Sequence, residues 1–190
     1  IGEQPRLRHF DVANRTRDKF VGQVDFTPTE AVGLSVNAGF GADDYPDSYF
    51  GLQESTFRVV GAAVDATSPQ GLGVGGSYNF ERYTGLQRSR SAAPGPQTVD
   101  PARDWTADTS ERVHYFSVYA TPPRLGRTEA RLSYDYAKSR GRYVYGLAPG
   151  SPLPQPSQLP EVFNELQQPR VAVRHRVSAR LRASISYLYE

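Results

Sequence analysis

The segments VGLSVNAGF (Val32–Phe40), LGVGGSYNF (Leu72–Phe80), TEARLSYDY (Thr128–Tyr136) and LRASISYLY (Leu181–Tyr189) read almost alike. Each alternates apolar and polar residues over nine positions and ends on an aromatic ring. Period two marks a β-strand whose faces meet different surroundings. Nine residues at about 3.3 Å each, laid at a tilt, is the length a strand needs to cross a bilayer. The repeat therefore predicts an all-β chain: an antiparallel up-and-down meander of about eight strands, forming a sector of a larger transmembrane β-barrel.

Each segment follows a partner across a short turn-prone joint. The partners are Phe20–Phe26, Val60–Ala66, Phe116–Ala120 and Val171–His175, and three joints are near repeats: VDFTPTE, VDATSPQ and VYATPPR. Thr, Ser, Pro and Gly there supply turn geometry and withhold ladder donors. The pattern is an internal repeat of hairpins, expected over 20–40, 56–83, 112–138 and 164–190 within one β-barrel segment, 1–190. The stretches 41–55, 84–110 and 139–163 are rich in Gly, Pro, Ser and Asp and read as long loops. Short turns at one end and long loops at the other is the asymmetry of an outer-membrane barrel, periplasmic and extracellular respectively. Residues 1–19 read as the remnant of an earlier outer loop. A chain that shows no export signal and stops inside an apparent strand reads as a segment of a longer protein.

Composition limits the alternatives. Among 190 residues there is no cysteine, which excludes disulfide staples and Cys-held metal or haem in this chain. Lys+Arg 22 nearly balances Asp+Glu 20, so charge gives no argument for nucleic acid. No run approaches the roughly 18 apolar residues of a membrane helix, and mean hydropathy is −0.56. Barrel strands meet lipid only at every second residue and so look hydrophilic on average. Tyr 12 and Phe 9 against one Trp suit strands and membrane interfaces.

The alternation divides the residues into two faces. Leu34, Val36, Phe40, Val74, Tyr78, Phe80, Leu132, Tyr134, Tyr136, Ile185, Tyr187 and Tyr189 are expected to touch lipid. In Thr56–Thr67 both faces carry apolar residues; Val60, Ala62 and Val64 are assigned outward so that Asp65 points inward. Asp25, Ser35, Asn37, Asp65, Asn79, Glu81, Glu129, Arg131, Asp135 and Arg182 are expected to line the interior or meet a partner, because an arginine at mid-depth on the lipid side costs about 2–4 kcal/mol. Phe40, Phe80, Tyr136 and Tyr189 fall at matched distances from their turns and read as one aromatic girdle near the outer interface. A soluble sandwich shares the alternation. It does not account for stripes of equal length, asymmetric loops, or aromatics at matched strand ends.

No catalytic constellation emerges, and the chain does not read as an enzyme. His9, His114 and His175 lie in separate elements, and His175 reads as an interfacial residue beside a turn. Asp43, Asp44 and Asp47 cluster on the Gly/Pro loop GADDYPDSYF, a setting able to hold Ca²⁺. The EF-hand spacing is absent, and a solvated acidic tip is the competing reading. Trp105 could anchor the second loop by packing. The inward charges mix both signs. A single sign would suggest ion selectivity, whereas mixed signs suit contact with a protein plug or cross-strand pairing.

The phrases DVANRTRDKF (Asp11–Phe20), FGADDYPDSYFGLQES (Phe40–Ser55), DWTADTSERVHYFSV (Asp104–Val118) and SYDYAKSRGRY (Ser133–Tyr143) resemble the C-terminal half of MtrB/PioB-type decahaem-associated outer-membrane proteins. The resemblance implies a barrel of well over twenty strands acting as an insulating sleeve around a periplasmic decahaem c-type cytochrome. Electrons then pass along the partner's haems to or from extracellular donors or acceptors, with an outer-surface cytochrome as a further candidate partner. With no CxxCH, this chain itself would hold no c-type haem. A diffusion porin or solute channel, and a small eight-stranded structural or adhesive barrel, remain the alternatives from the residues alone.

Overall fold

The computed structural model describes residues 6, 13–91, 99–157 and 159–189. Eight strands follow one another: β1 (Thr16–Thr29), β2 (Val32–Asp44), β3 (Gly51–Thr67), β4 (Gly73–Arg90), β5 (Asp104–Thr121), β6 (Thr128–Leu147), β7 (Val162–Arg176) and β8 (Arg182–Leu188). They form one sheet in sequence order, every neighbouring pair antiparallel. The sheet is open, with β1 and β8 at its edges. The expected meander is the observed fold.

The strands are longer than the alternation suggested. β4 and β5 have 18 residues each and β6 has 20, so the second and third hairpins continue well into the stretches read as loops. Thr16–Lys19, expected in a loop, belongs to β1; residues 1–5 and 7–12 of that remnant lie outside the described residues. The physical reason is that alternation reports unlike surroundings on the two faces. Beyond the apolar stripe both faces carry Thr, Ser, Arg and Asp, the contrast disappears, and the hydrogen-bonded ladder runs on. The asymmetry survives in reduced form. The β1–β2 joint spans only two residues, while β4–β5 and β6–β7 are joined by 13 and 14. At the short end Gly71 has φ +84, which a tight turn needs and a side chain resists.

Little of the chain is buried. Tyr45, Phe50 and Ala107 are the buried apolar residues among those described, and Phe20, Val24, Val36, Leu132, Ile185 and Tyr187 are exposed. The surface measures 13500 Å², whereas a compact soluble chain of 21.0 kDa exposes about 9000 Å². No second sheet covers either face among the described residues, so a sandwich is not the fold.

The register shows how the repeat is laid out. Phe40 aligns with Arg82 across β3, so Phe80 lies two residues nearer the turn end. Phe80 aligns with Lys138 across β5, so Tyr136 is displaced by the same step. The four aromatic-ended segments are thus staggered by one residue per strand. A line through such positions crosses strands about 4.8 Å apart at a slope of about 35°, within the range of strand tilt in barrels.

Candidate functional site

The register separates the two residue sets cleanly. One face carries rows such as Phe26–Leu34–Val64–Gly76–Val118–Tyr134 and Val24–Val36–Ala62–Tyr78–Phe116–Tyr136. Val74, Phe80, Leu132, Ile185 and Tyr187 share this apolar face, and so do Val60, Ala62 and Val64. Tyr189 sits just beyond β8 and bonds through its N–H to the Pro169 carbonyl. The opposite face carries Asp25–Ser35–Ala63–Ser77–Ser117–Asp135 and Asn37–Gly61–Asn79–Tyr115. Asp65, Glu81, Glu129, Arg131 and Arg182 lie on that polar face too.

The side chains of the polar face are tied to one another. Ser117 donates to Asp135 at 2.6 Å and Tyr115 donates to the same oxygen at 2.8 Å. Tyr83 donates to Glu81 at 2.6 Å, and Gln23 donates to Asp25 at 2.9 Å. Tyr119 of β5 reaches across β4 to donate to Asp65 of β3. It crosses above Gly75, where an added Cβ would collide with both Asp65 Oδ1 and Tyr119 Cε1. The Arg131 guanidinium lies over the same ring, 3.9 Å from its centroid. Phe57 covers Gly41 in the same way, its ring filling the space a Cβ would take, with Lys19 Nζ 5.7 Å from the ring centroid. Over Gly61, Asn37 and Asn79 close in from either side. Each glycine lets a neighbouring side chain lie down along the sheet, so the polar lining is low and hydrogen-bonded rather than bristling.

Near the turn end the lining becomes basic. Arg182 stands directly opposite Arg176 and Glu129 opposite Arg174. With Arg124 and Arg127 they surround a basin of about 580 Å³, in which Glu129 pairs with Arg124 at 2.6 Å.

The other end carries the packed part of the chain. Phe50 is fully buried, and Tyr49 meets it edge-on at 4.7 Å. Arg88 stacks on Tyr49, Arg90 on Phe50, and both arginines bind Asp104, Arg88 at 2.8 Å. Burial pushes the Asp104 carboxyl up, but the bonds from Arg90 and Arg88 outweigh it and hold the group below the usual carboxylate range. Arg17 grips Asp43 with two bonds, 2.6 and 2.7 Å, and these lower Asp43 likewise. Trp105 packs on Tyr145, centroids 5.9 Å apart.

Both carboxyls are depressed on folding. Their contribution is complete above the ordinary carboxylate pKa of about 3.9 and is lost as pH falls through the lower folded values. Limited proteolysis is expected to leave the Tyr45–Phe50 connection intact at neutral pH and to cut it as pH drops below about 4. A cleavage rate unchanged across that window would show that these pairs do not hold the loop.

The three aspartates of the metal reading are not gathered into one site. Asp43 is taken by Arg17, Asp47 accepts from Asn14 at 2.6 Å, and Asp44 pairs with Glu54 in the ladder. Among the described residues no three His, Asp or Glu side chains are grouped to hold a metal. His175 meets Thr128 Oγ1 at 2.9 Å beside its turn, His114 meets the Tyr78 hydroxyl at 2.8 Å, and His9 lies outside the described residues. Sequence reasoning missed the roles of Tyr115 and Tyr119 on the polar face, and of Phe57, which the outward assignment of Val60 puts there without a contact. Their positions opposite or beside asparagine and glycine become visible only once the strands are in register.

The comparisons agree with this architecture. Residues 2–190 match the family described as "Putative outer membrane beta-barrel porin, MtrB/PioB". The outer membrane protein MtrB of Shewanella baltica (strain OS185) is 25% identical over 133 residues, 70% of this chain and 18% of that protein. The chain thus spans less than a fifth of that relative's length. The apolar-and-polar open sheet and the match over nearly all of its length lead to one assignment: the chain belongs to the MtrB/PioB family and is an outer-membrane β-barrel protein.

Proposed function

We propose that the apolar face meets lipid and that the polar face forms part of a sleeve around a multihaem c-type cytochrome, which carries electrons across the outer membrane. The observation that carries this reading is the low, cross-bonded lining, with Tyr119 lying over Gly75 and Phe57 over Gly41. A solid partner held closely needs a smooth polar wall of mixed charge, because buried polar groups must be satisfied on both sides of the contact. An open aqueous channel has no such need, since water satisfies side chains in any posture. The chain's part is non-catalytic: redox groups belong to the partner, and the barrel supplies position and insulation. The haem attachment that two cysteines provide is not open to a chain with no cysteine.

Read this way, Phe40, Phe80, Tyr136 and Tyr189 lie at one depth when the strands tilt by about 35°, which makes the register stagger the consequence of a level girdle. The test is purification of the full-length protein from its outer membrane. We expect a red complex with haem in fixed ratio to barrel. A colourless barrel that conducts ions by itself would favour the porin reading instead.

A further inference from the structure

Four arginines stand side by side on the apolar face. Arg58, Arg82, Arg112 and Arg140 are direct cross-strand partners on β3, β4, β5 and β6, and the row is flanked in the same register by Phe40 and Phe163. All four are exposed. Like charges directly opposite one another destabilise a sheet, and this row sets three such pairs next to one another. The nearest relief is aromatic: Arg58 lies 5.8 Å from the centroid of Phe40, and Arg140 lies 5.1 Å from that of Phe163. Among the described residues no carboxylate forms an ion pair with any of the four. The carboxylates of Glu54 and Asp108 on this face sit two rows farther out. One row inward are Lys138 and His114, with Glu165 opposite Lys138.

The row also has a definite depth, on the lipid-facing assignment proposed above. With the stagger of the aromatic segments taken as level, each residue along a strand tilted by about 35° adds about 2.7 Å of height. Arg58 then stands about 3 Å and Arg140 about 11 Å beyond the ring line, toward the long connections, which spans the headgroup layer of a bilayer. Cations at that level, facing outward and with no ion-paired carboxylate among the described residues, call for anions supplied by the membrane. Guanidinium forks match phosphate oxygens in pairs.

We propose that Arg58, Arg82, Arg112 and Arg140 form a binding site for the phosphate groups of an outer-leaflet glycolipid. The row is about 15 Å long at strand spacing, enough for two phosphates on one headgroup.

The test uses the full-length protein extracted gently from its outer membrane, with bound glycolipid counted by mass spectrometry of its acyl chains. Wild type is expected to retain glycolipid. R82Q/R112Q is expected to bind it about thirtyfold more weakly, as two surface cations at about 1 kcal/mol each imply. R82K/R112K, which keeps the charge, should retain most of it. Migration on unheated gels checks that each variant is folded; if the double variant is not, R112Q alone is read for a smaller loss. Equal retention by wild type and folded Gln variants would overturn the proposal. So would stabilisation of the delipidated barrel by inorganic phosphate equal to that by bisphosphorylated glycolipid, which would make the ligand a free anion. Lipid-borne quenchers against probes at Val36 and Leu132 separate the lipid-facing assignment from the glycolipid site. No quenching refutes the face assignment itself, and quenching with unchanged retention refutes the glycolipid site alone.

Discussion

Leu34→Arg and Leu132→Arg are expected to stop assembly of the barrel, while Ser35→Arg is tolerated. Leu34 lies between Phe26 and Val64, and Leu132 between Ala120 and Val171, on unbroken apolar rows. Neither has a carboxylate as a direct cross-strand partner, and an arginine at mid-depth on the lipid side costs about 2–4 kcal/mol. That is a large share of a folding free energy of about 5–15 kcal/mol. Ser35 is adjacent in sequence but on the other face, directly opposite Asp25, so an arginine there gains a partner and stays in a polar setting. The measurement is the amount of heat-modifiable, folded protein in the outer-membrane fraction. Equal assembly of all three variants would remove the lipid from the apolar face.

On the sleeve proposed above, Gly75→Leu is expected to yield a barrel that assembles but loses the proposed cytochrome. A side chain at Gly75 collides at its first carbon with the Tyr119 ring and the Asp65 carboxylate. Tyr119 must then lift off the wall, lose its bond to Asp65 and carry its contact with Arg131 away. Overpacking of this kind costs about 1–3 kcal/mol; if the partner bears it, binding weakens by roughly 5- to 150-fold. Gly76→Leu is the control. It lies on the apolar face, where a Cβ meets Val118 Cγ1 and the Ser117 carbonyl at an acceptable 3.4 Å, and haem content should not change. Haem per folded barrel, read from absorbance, decides the matter. If Gly75→Leu keeps its full complement, the flat lining is not a contact surface.

How much of this was legible in the residues varies from place to place. Val36 and Asn37, or Arg131 and Leu132, announce their faces because an apolar and a polar setting select opposite chemistry at consecutive positions. The strand ends did not announce themselves. From Thr84 to Arg90 and from Asp104 to Ser110 polar residues fall on both faces, so the sequence carries little contrast and reads as loop. The aspartates of GADDYPDSYF looked like a cluster because they are close in sequence; Arg17, distant in sequence, takes Asp43 out of it.

The residues by themselves determined the alternation, the hairpin repeat and the membrane-spanning class, because each is a local consequence of what one side chain and the next must face. Only the tertiary structure decided which residues stand together across strands. Register is a relation between segments dozens of residues apart, and no single strand encodes it. That relation laid Tyr119 over Gly75, and it set Arg58, Arg82, Arg112 and Arg140 in one row.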